Sequence, residues 1–233
     1  MPRQIRSAIL RKPALPALAW QFAALSDVGR NRSNNEDAVA YDAELMLALL
    51  ADGLGGYNGG EVASNLSLAV LRQSFVDWRA AAGAAPSNRS VRRALQAGVD
   101  DANHAILAAA AADPQLHGMG TTLVVAAFAG HSAIVGHIGD SRCYRLRERQ
   151  LLALTDDHSM LRELLAAGSI TPEQAEASPY RNLVTRALGV DKRIELELHE
   201  HDAADGDLFL LCSDGLSTML DDAQILTILL EEG

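Results

Sequence analysis

Two apolar runs, far apart in the chain, end alike: Leu49-Leu50-Ala51-Asp52-Gly53-Leu54 and Leu210-Leu211-Cys212-Ser213-Asp214-Gly215-Leu216. A buried run of strand length has no room for a charged carboxylate at its centre, so both aspartates are expected where a strand leaves the core. Two such ends can meet. Carboxylates held side by side repel unless a proton or cation lies between them, and the pairing points to a hard metal site. Asp-Gly is also a common turn after a strand, which is the ordinary explanation for either copy taken alone. A third acidic cluster, between Ser26 and Asp37, favours the metal.

A chain of 233 residues, 48% of them hydrophobic, can build one large core. Its formal net charge of −10 argues against a nucleic-acid surface and against docking on anionic lipid. An anionic substrate must therefore be met locally, by a few basic groups or by bound cations. Cys143 and Cys212 sit in apolar, strand-like segments without redox or zinc spacing and read as reduced core residues of a cytoplasmic protein. The basic-then-apolar stretch from Arg3 to Leu25 is interrupted by Pro13, Pro16 and Gln21, so it is not a targeting sequence. No segment approaches the ~20 uninterrupted apolar residues of a membrane span, and a soluble protein is expected.

Along the chain, a loose arm is expected over residues 1–19 and one domain over 20–233. Trp20 to Leu25 reads as a first strand, and Val39 to Tyr41 with Leu45 to Ala51 as a hairpin turning at Asp42-Ala43-Glu44. A Gly-rich loop, Gly53 to Gly60, then opens a helix marked by Val62, Leu66, Ala69 and Val70; a second carries Val91, Leu95, Val99, Ala102 and Ile106. Strands follow at Thr121 to Phe128, Ala133 to Ile138, Arg142 to Leu146, Leu151 to Leu154, Ile194 to Leu198 and Asp207 to Ser213. A helical insertion occupies roughly 157–183, and a last helix begins after Asp221-Asp222. Hairpins interrupted by one helical pair and closed by another suggest an α+β fold, a packed β-sandwich with helices on its outer faces.

The third cluster runs Ser26-Asp27-Val28-Gly29-Arg30-Asn31-Arg32-Ser33-Asn34-Asn35-Glu36-Asp37. Helix is disfavoured there by Ser33, Asn34 and Asn35. With Asp52-Gly53-Leu54-Gly55-Gly56, Gly139-Asp140-Ser141-Arg142 and Ser213-Asp214-Gly215, the cluster resembles the signature set of the protein phosphatase 2C family, the metal-dependent serine/threonine phosphatases. Met119-Gly120-Thr121-Thr122, Asp157-His158-Ser159 and Thr185-Arg186-Ala187-Leu188-Gly189 extend the likeness, in family order, from Ser26 to Leu220.

The resemblance implies a four-layer α-β-β-α sandwich of two mostly antiparallel sheets. It implies a centre of two Mn²⁺ or Mg²⁺ ions bridged by Asp52, with the Gly53 carbonyl on one ion and Asp214 on the other. Glu36 and Asp37 supply direct or water-mediated contacts. Carboxylate and carbonyl oxygens suit hard divalent ions, and paired ions can sharpen a shared water for attack on a phosphate ester. Arg32 matches the arginine that grips the phosphate, a task suited to a bidentate guanidinium. Asp140 matches the carboxylate of a third, weaker metal in bacterial members; equally, it reads as a hairpin-end aspartate paired with Arg142. His158 lies in a family motif, with proton shuttle and loop brace both open to it. His137 alternates with core positions and reads as structural, while His104, His117, His131, His199 and His201 show no ligand spacing.

The match has departures. Leu54 stands where many eukaryotic members carry a histidine general acid, and Tyr57 replaces a histidine common in bacterial members. The family usually closes with Gly-x-Asp-Asn on a final strand, whose first aspartate shares the metal of Asp214; this sequence stops at Gly233 without it. Weaker metal affinity and an open sheet edge are expected from that absence, with either a shortened chain or a partner chain at the edge. The implied activity is hydrolysis of phosphoserine and phosphothreonine in proteins, opposing a serine/threonine kinase, with the 157–183 insertion as a flap beside the cleft. The alternative is a catalytically weakened regulatory or phosphoprotein-binding module of the same fold. No nucleic-acid or membrane partner is expected, and the oligomeric state is not legible.

Overall fold

One strand, β4 (Leu123–Ala129), is buried on both faces, and its period of two sorts the molecule into layers. Leu123, Val125 and Ala127 belong to a core shared with two long helices, while Val124, Ala126 and Phe128 belong to a second core shared with another sheet. The computed structural model describes residues 18–30, 32–55, 59–83, 86–176, 178, 180 and 183–231. The larger sheet is antiparallel and runs β1 (Asp37–Asp42), β2 (Leu47–Leu54), β4, β5 (Ser132–Ile138), β8 (Glu197–Asp202), with the two-residue β3 (Gly120–Thr121) paired to the end of β2. The smaller sheet orders β7 (Gln150–Ala153), β6 (Arg142–Arg147) and β9 (Leu208–Cys212), with β7 and β9 as its edges.

Helix α1 (Gly59–Ala81) and helix α2 (Asn88–Ala112) cover the outer face of the larger sheet with the stripes Leu68, Leu71, Phe75 and Val91, Leu95, Val99, Ile106. Ser87 caps α2, its side chain accepting from the Ser90 N–H. Between the sheets lies an aromatic group in which Trp20 packs at 4.1 Å from Phe128 and Phe128 at 5.2 Å from Phe209. Short helices α3 (Met160–Ala166), α4 (Pro172–Glu176) and α5 (Asp214–Ser217) precede α6 (Asp222–Glu231). Tyr144 of β6 donates from its hydroxyl to Asp222 at 3.0 Å, fastening the start of α6 to the smaller sheet. The result is the expected α+β sandwich, two antiparallel sheets with helices outside.

Several expected elements differ. Trp20 to Leu25 forms no strand: Trp20 and Phe22 alternate into the inter-sheet core, yet no strand among the described residues ladders with them. Ile194 to Leu196 are irregular because the Leu196 N–H donates to the side-chain oxygen of Gln96 on α2, at 3.0 Å, and the strand begins only at Glu197. The run from Thr121 to Phe128 is divided at Thr122 into β3 and β4. Asp52 is not at a strand end; β2 continues to Leu54. Most of the arm over 1–19, and Gly56, Tyr57 and Asn58 of the Gly-rich loop, lie outside the described residues. No helix among the described residues is long and apolar enough to cross a membrane.

Candidate metal centre

Strand register brings the first pair of acids together. Asp37 on β1 is the direct cross-strand partner of Asp52 on β2, so both carboxylates leave the same face of the sheet. Like charges so placed are destabilising. The Asp52 backbone is held firmly: its N–H donates to the Thr122 hydroxyl at 3.0 Å, and its carbonyl accepts from the Thr122 N–H at 2.8 Å and the Thr121 hydroxyl at 2.9 Å. The Thr122 hydroxyl also pairs with that of Ser141 at 2.8 Å, beside Asp140 in the β5–β6 turn. Asp214 opens α5 directly after β9, and the preceding Ser213 hydroxyl donates to Asp37 at 2.7 Å.

These groups crowd one another electrostatically. Burial first, then the charges of Asp37, Asp214 and Asp140, push the Asp52 carboxyl up to about 8; Asp214 also lies within hydrogen-bonding reach of it. Asp140 is pushed up to about 6, by burial first and then by Asp214. No ion pair among the described residues reaches Asp37, Asp52, Asp140, Asp214 or Glu36. Converging, mutually repelling carboxylates with no ion-pair partner among the described residues fit hard divalent ions, whose charge would relieve the repulsion.

Glycine matters at this centre for space. A Cβ on Gly53 would fall 2.1 Å from the Gly60 carbonyl oxygen, and one on Gly60 would fall 2.7 Å from Oε1 of Glu36. Only two glycines let β2 approach the start of α1 this closely, and the same approach sets the Glu36 side chain against that helix end, where the helix dipole favours an anion. The Gly53 N–H donates to the Glu36 carbonyl at 3.1 Å. Asn35 fastens the preceding loop, its side chain donating to Ser26 at 2.7 Å and accepting from the Asp37 N–H at 3.1 Å.

All seven residues singled out in the sequence, Arg32, Glu36, Asp37, Asp52, Gly53, Asp140 and Asp214, line one open cleft of about 820 Å³. Asp140 does not pair with Arg142, contrary to one of its two readings; Arg142 instead makes a two-pronged contact with Asp157, at 2.8 and 2.7 Å. The supporting hydroxyls of Thr121, Thr122, Ser141 and Ser213 were not assigned from the sequence. Their signal there is membership of the quoted motifs: Thr121 and Thr122 end Met119-Gly120-Thr121-Thr122, Ser141 follows Asp140 and Ser213 precedes Asp214.

Known proteins share this fold and much of this sequence. A family model described as protein phosphatase 2C matches residues 29–232. The serine/threonine protein phosphatase PstP of Mycobacterium tuberculosis is 42% identical over 212 residues, covering 91% of this chain and 39% of that protein, so the chain spans well under half of that relative's length. The serine/threonine phosphatase stp of Listeria innocua is 35% identical over 207 residues, 88% of this chain and 81% of that one. A crystal structure of the PstP catalytic domain in complex with two manganese ions superposes with a TM-score of 0.77 at 42% identity, covering 89% of this chain and 83% of that one. Acids distant in sequence converge here within a fold shared with these proteins, and the family match takes in every one of them: the chain belongs to the protein phosphatase 2C family.

Proposed function

We propose that this protein is a metal-dependent phosphatase acting on phosphoserine and phosphothreonine in proteins. The observation that carries the reading is the convergence of Asp37, Asp52, Asp140 and Asp214 in one cleft with Arg32, the Asp52 carboxyl being raised by its acidic neighbours. In this reading Asp52, Asp214 and the Gly53 carbonyl would hold two Mn²⁺ or Mg²⁺ ions, with Glu36 and Asp37 supplying direct or water-mediated contacts. Asp140, together with Asp214, would hold a weaker third ion. When bound, such ions lower the pKa of water to the neutral range and so supply a nucleophile.

The protein's own groups do the rest. Arg32, exposed on the cleft wall, binds the phosphate oxygens and offsets the charge that grows on them in the transition state. Thr121 and Thr122 hold the Asp52 backbone so that its carboxylate does not reorient when ions enter or leave. Leu54 offers no proton, so the leaving alkoxide takes one from elsewhere. Helices α3 and α4 and the segment to residue 183 act as a flap that biases substrate choice, and residues 20–233 act as one phosphatase domain behind the arm over 1–19. Phosphorylated proteins as substrates make a serine/threonine kinase the functional opponent. Two buried free cysteines, Cys143 and Cys212 on neighbouring strands, support a reducing, cytoplasmic setting.

The test is hydrolysis of an aryl phosphate and of a phosphothreonine peptide with Mn²⁺, before and after chelation. Turnover should require the metal. Arg32→Lys should lower kcat/KM at least about 10-fold, the loss of one charge-assisted hydrogen bond, while metal binding is unchanged. Turnover that survives chelation would refute the proposal, and a chain that binds Mn²⁺ yet never turns over would be the binding module instead.

A further inference from the structure

Outside the carboxylate cleft, three potential ligands lie together: His137 on β5, His158 before α3, and Glu197 opening β8, their donor atoms within 4.8 Å of one another. The two rings are nearly parallel, 4.6 Å apart. A second metal site is the obvious reading, and the proton positions oppose it. His158 Nδ1 accepts from the Gly139 N–H at 3.1 Å, so the ring proton belongs on Nε2, which faces Glu197 Oε2 at 3.1 Å. A metal at Nε2 would drive that proton onto Nδ1, against the Gly139 N–H. Arg186 Nη1, 3.4 Å from Nε2, is a donor facing a donor and makes a contact only.

The same pattern describes a brace. His158 grips Gly139 twice, through Nδ1 and through its own backbone N–H, which donates to the Gly139 carbonyl at 2.8 Å. Gly139 lies at φ +100°, where a side chain is strained, and a Cβ there would also fall 2.7 Å from Thr122 Cγ2. The next residue is Asp140, whose other neighbour, Ser141, is tied to Thr122. The imidazole is fixed in turn by Glu197, whose carboxyl is held down at about 2, first by its hydrogen bond with His199 and further by the one with His158, against burial that would raise it. His137 packs against the His158 ring and donates from Nε2 to the Asp156 carbonyl at 2.7 Å.

We propose that Glu197 and His158 are positioning residues for the metal centre: carboxylate holds imidazole, imidazole holds the Gly139 peptide, and that peptide aims Asp140 into the cleft. Glu197 thereby acts from the edge strand of the larger sheet, without touching substrate or metal. The inference rests on the reading of Asp140 as the ligand of a weaker ion. Outer partners of metal ligands commonly tune affinity about 10–100-fold, and this brace acts at the lower end of that range.

The test is Mn²⁺ binding by titration calorimetry on the unaltered chain and on Asp140→Asn, Glu197→Ala, Glu197→Gln and His158→Ala. Asp140→Asn, Glu197→Ala and His158→Ala should each weaken the weaker class of sites by about 10-fold. Glu197→Gln keeps an oxygen to accept the Nε2 proton and should restore binding to within about 2-fold. If Asp140→Asn weakens binding while Glu197→Ala does not, the brace is refuted and the Asp140 reading stands. If Asp140→Asn changes nothing, the Asp140 reading falls and takes the brace with it. Nitrogen NMR of the unaltered, metal-free chain should show His158 protonated on Nε2 alone; a proton on Nδ1 would also overturn the inference.

Discussion

Replacing Asp52 by asparagine should make the metal-free protein more stable while removing its response to metal. The carboxyl sits at about 8 in the folded chain against an ordinary 3.8. Keeping it ionised when folded therefore costs at most about 6 kcal/mol, at about 1.4 kcal/mol per pKa unit. Relaxation and water entry reduce such penalties, so a net gain of about 2 kcal/mol is expected from the neutral side chain. For a chain of this size that corresponds to a rise in Tm of about 4–8 °C. Direction with pH follows from the raised pKa. Asp52 stabilises the fold fully only below about 3.8, where it is protonated in both states, and that contribution is lost as pH rises toward about 8. The advantage of Asp52→Asn in chelator should therefore be near zero at pH 4 and largest at pH 8. Added Mn²⁺ at 100 times its Kd should stabilise the unaltered chain by about 2.7 kcal/mol and leave the variant far less affected. Thermal unfolding by circular dichroism, with chelator and with Mn²⁺, reads all of this. A variant less stable than the parent at pH 8 in chelator would refute the account of the acids as a strained, cation-requiring group.

Two further substitutions probe the scaffold. Gly53→Ala should abolish metal binding or folding, because its Cβ would overlap the Gly60 carbonyl, whereas Gly83→Ala, with nothing within 4 Å, should leave Tm and Mn²⁺ titration unchanged. Tyr144→Phe removes the hydroxyl that donates to Asp222 and accepts from Arg142 at 3.0 Å, and should lower stability by about 1–2 kcal/mol in denaturant titration, with the aryl phosphatase KM unaltered.

Much of the candidate metal centre is legible in the sequence because hard-metal chemistry uses few residue types. Asp52-Gly53 and Ser213-Asp214-Gly215 announce themselves as charges that interrupt apolar runs, and the ordered motifs of the family do the rest. Strand limits were less legible. Trp20 to Leu25 carries a convincing strand pattern without a ladder, since alternation reports which side chains are buried and is silent about hydrogen-bond partners. Ile194 to Leu196 is apolar enough for a strand, but one side-chain amide, Gln96, captures the backbone first.

By itself the sequence settled which residue types were available and where apolar residues recur: two long apolar helix stripes, a series of strand-length apolar runs, and acidic residues at the ends of two of them. Tertiary structure alone decided that Asp37 faces Asp52 across a strand pair, that Arg142 chooses Asp157 over Asp140, and that His158 turns its lone pair on Gly139. The physical reason is range. Burial patterns follow from a residue and its near neighbours along the chain, whereas pKa values, proton positions and hydrogen-bond partners depend on groups brought within a few ångströms from tens of residues away.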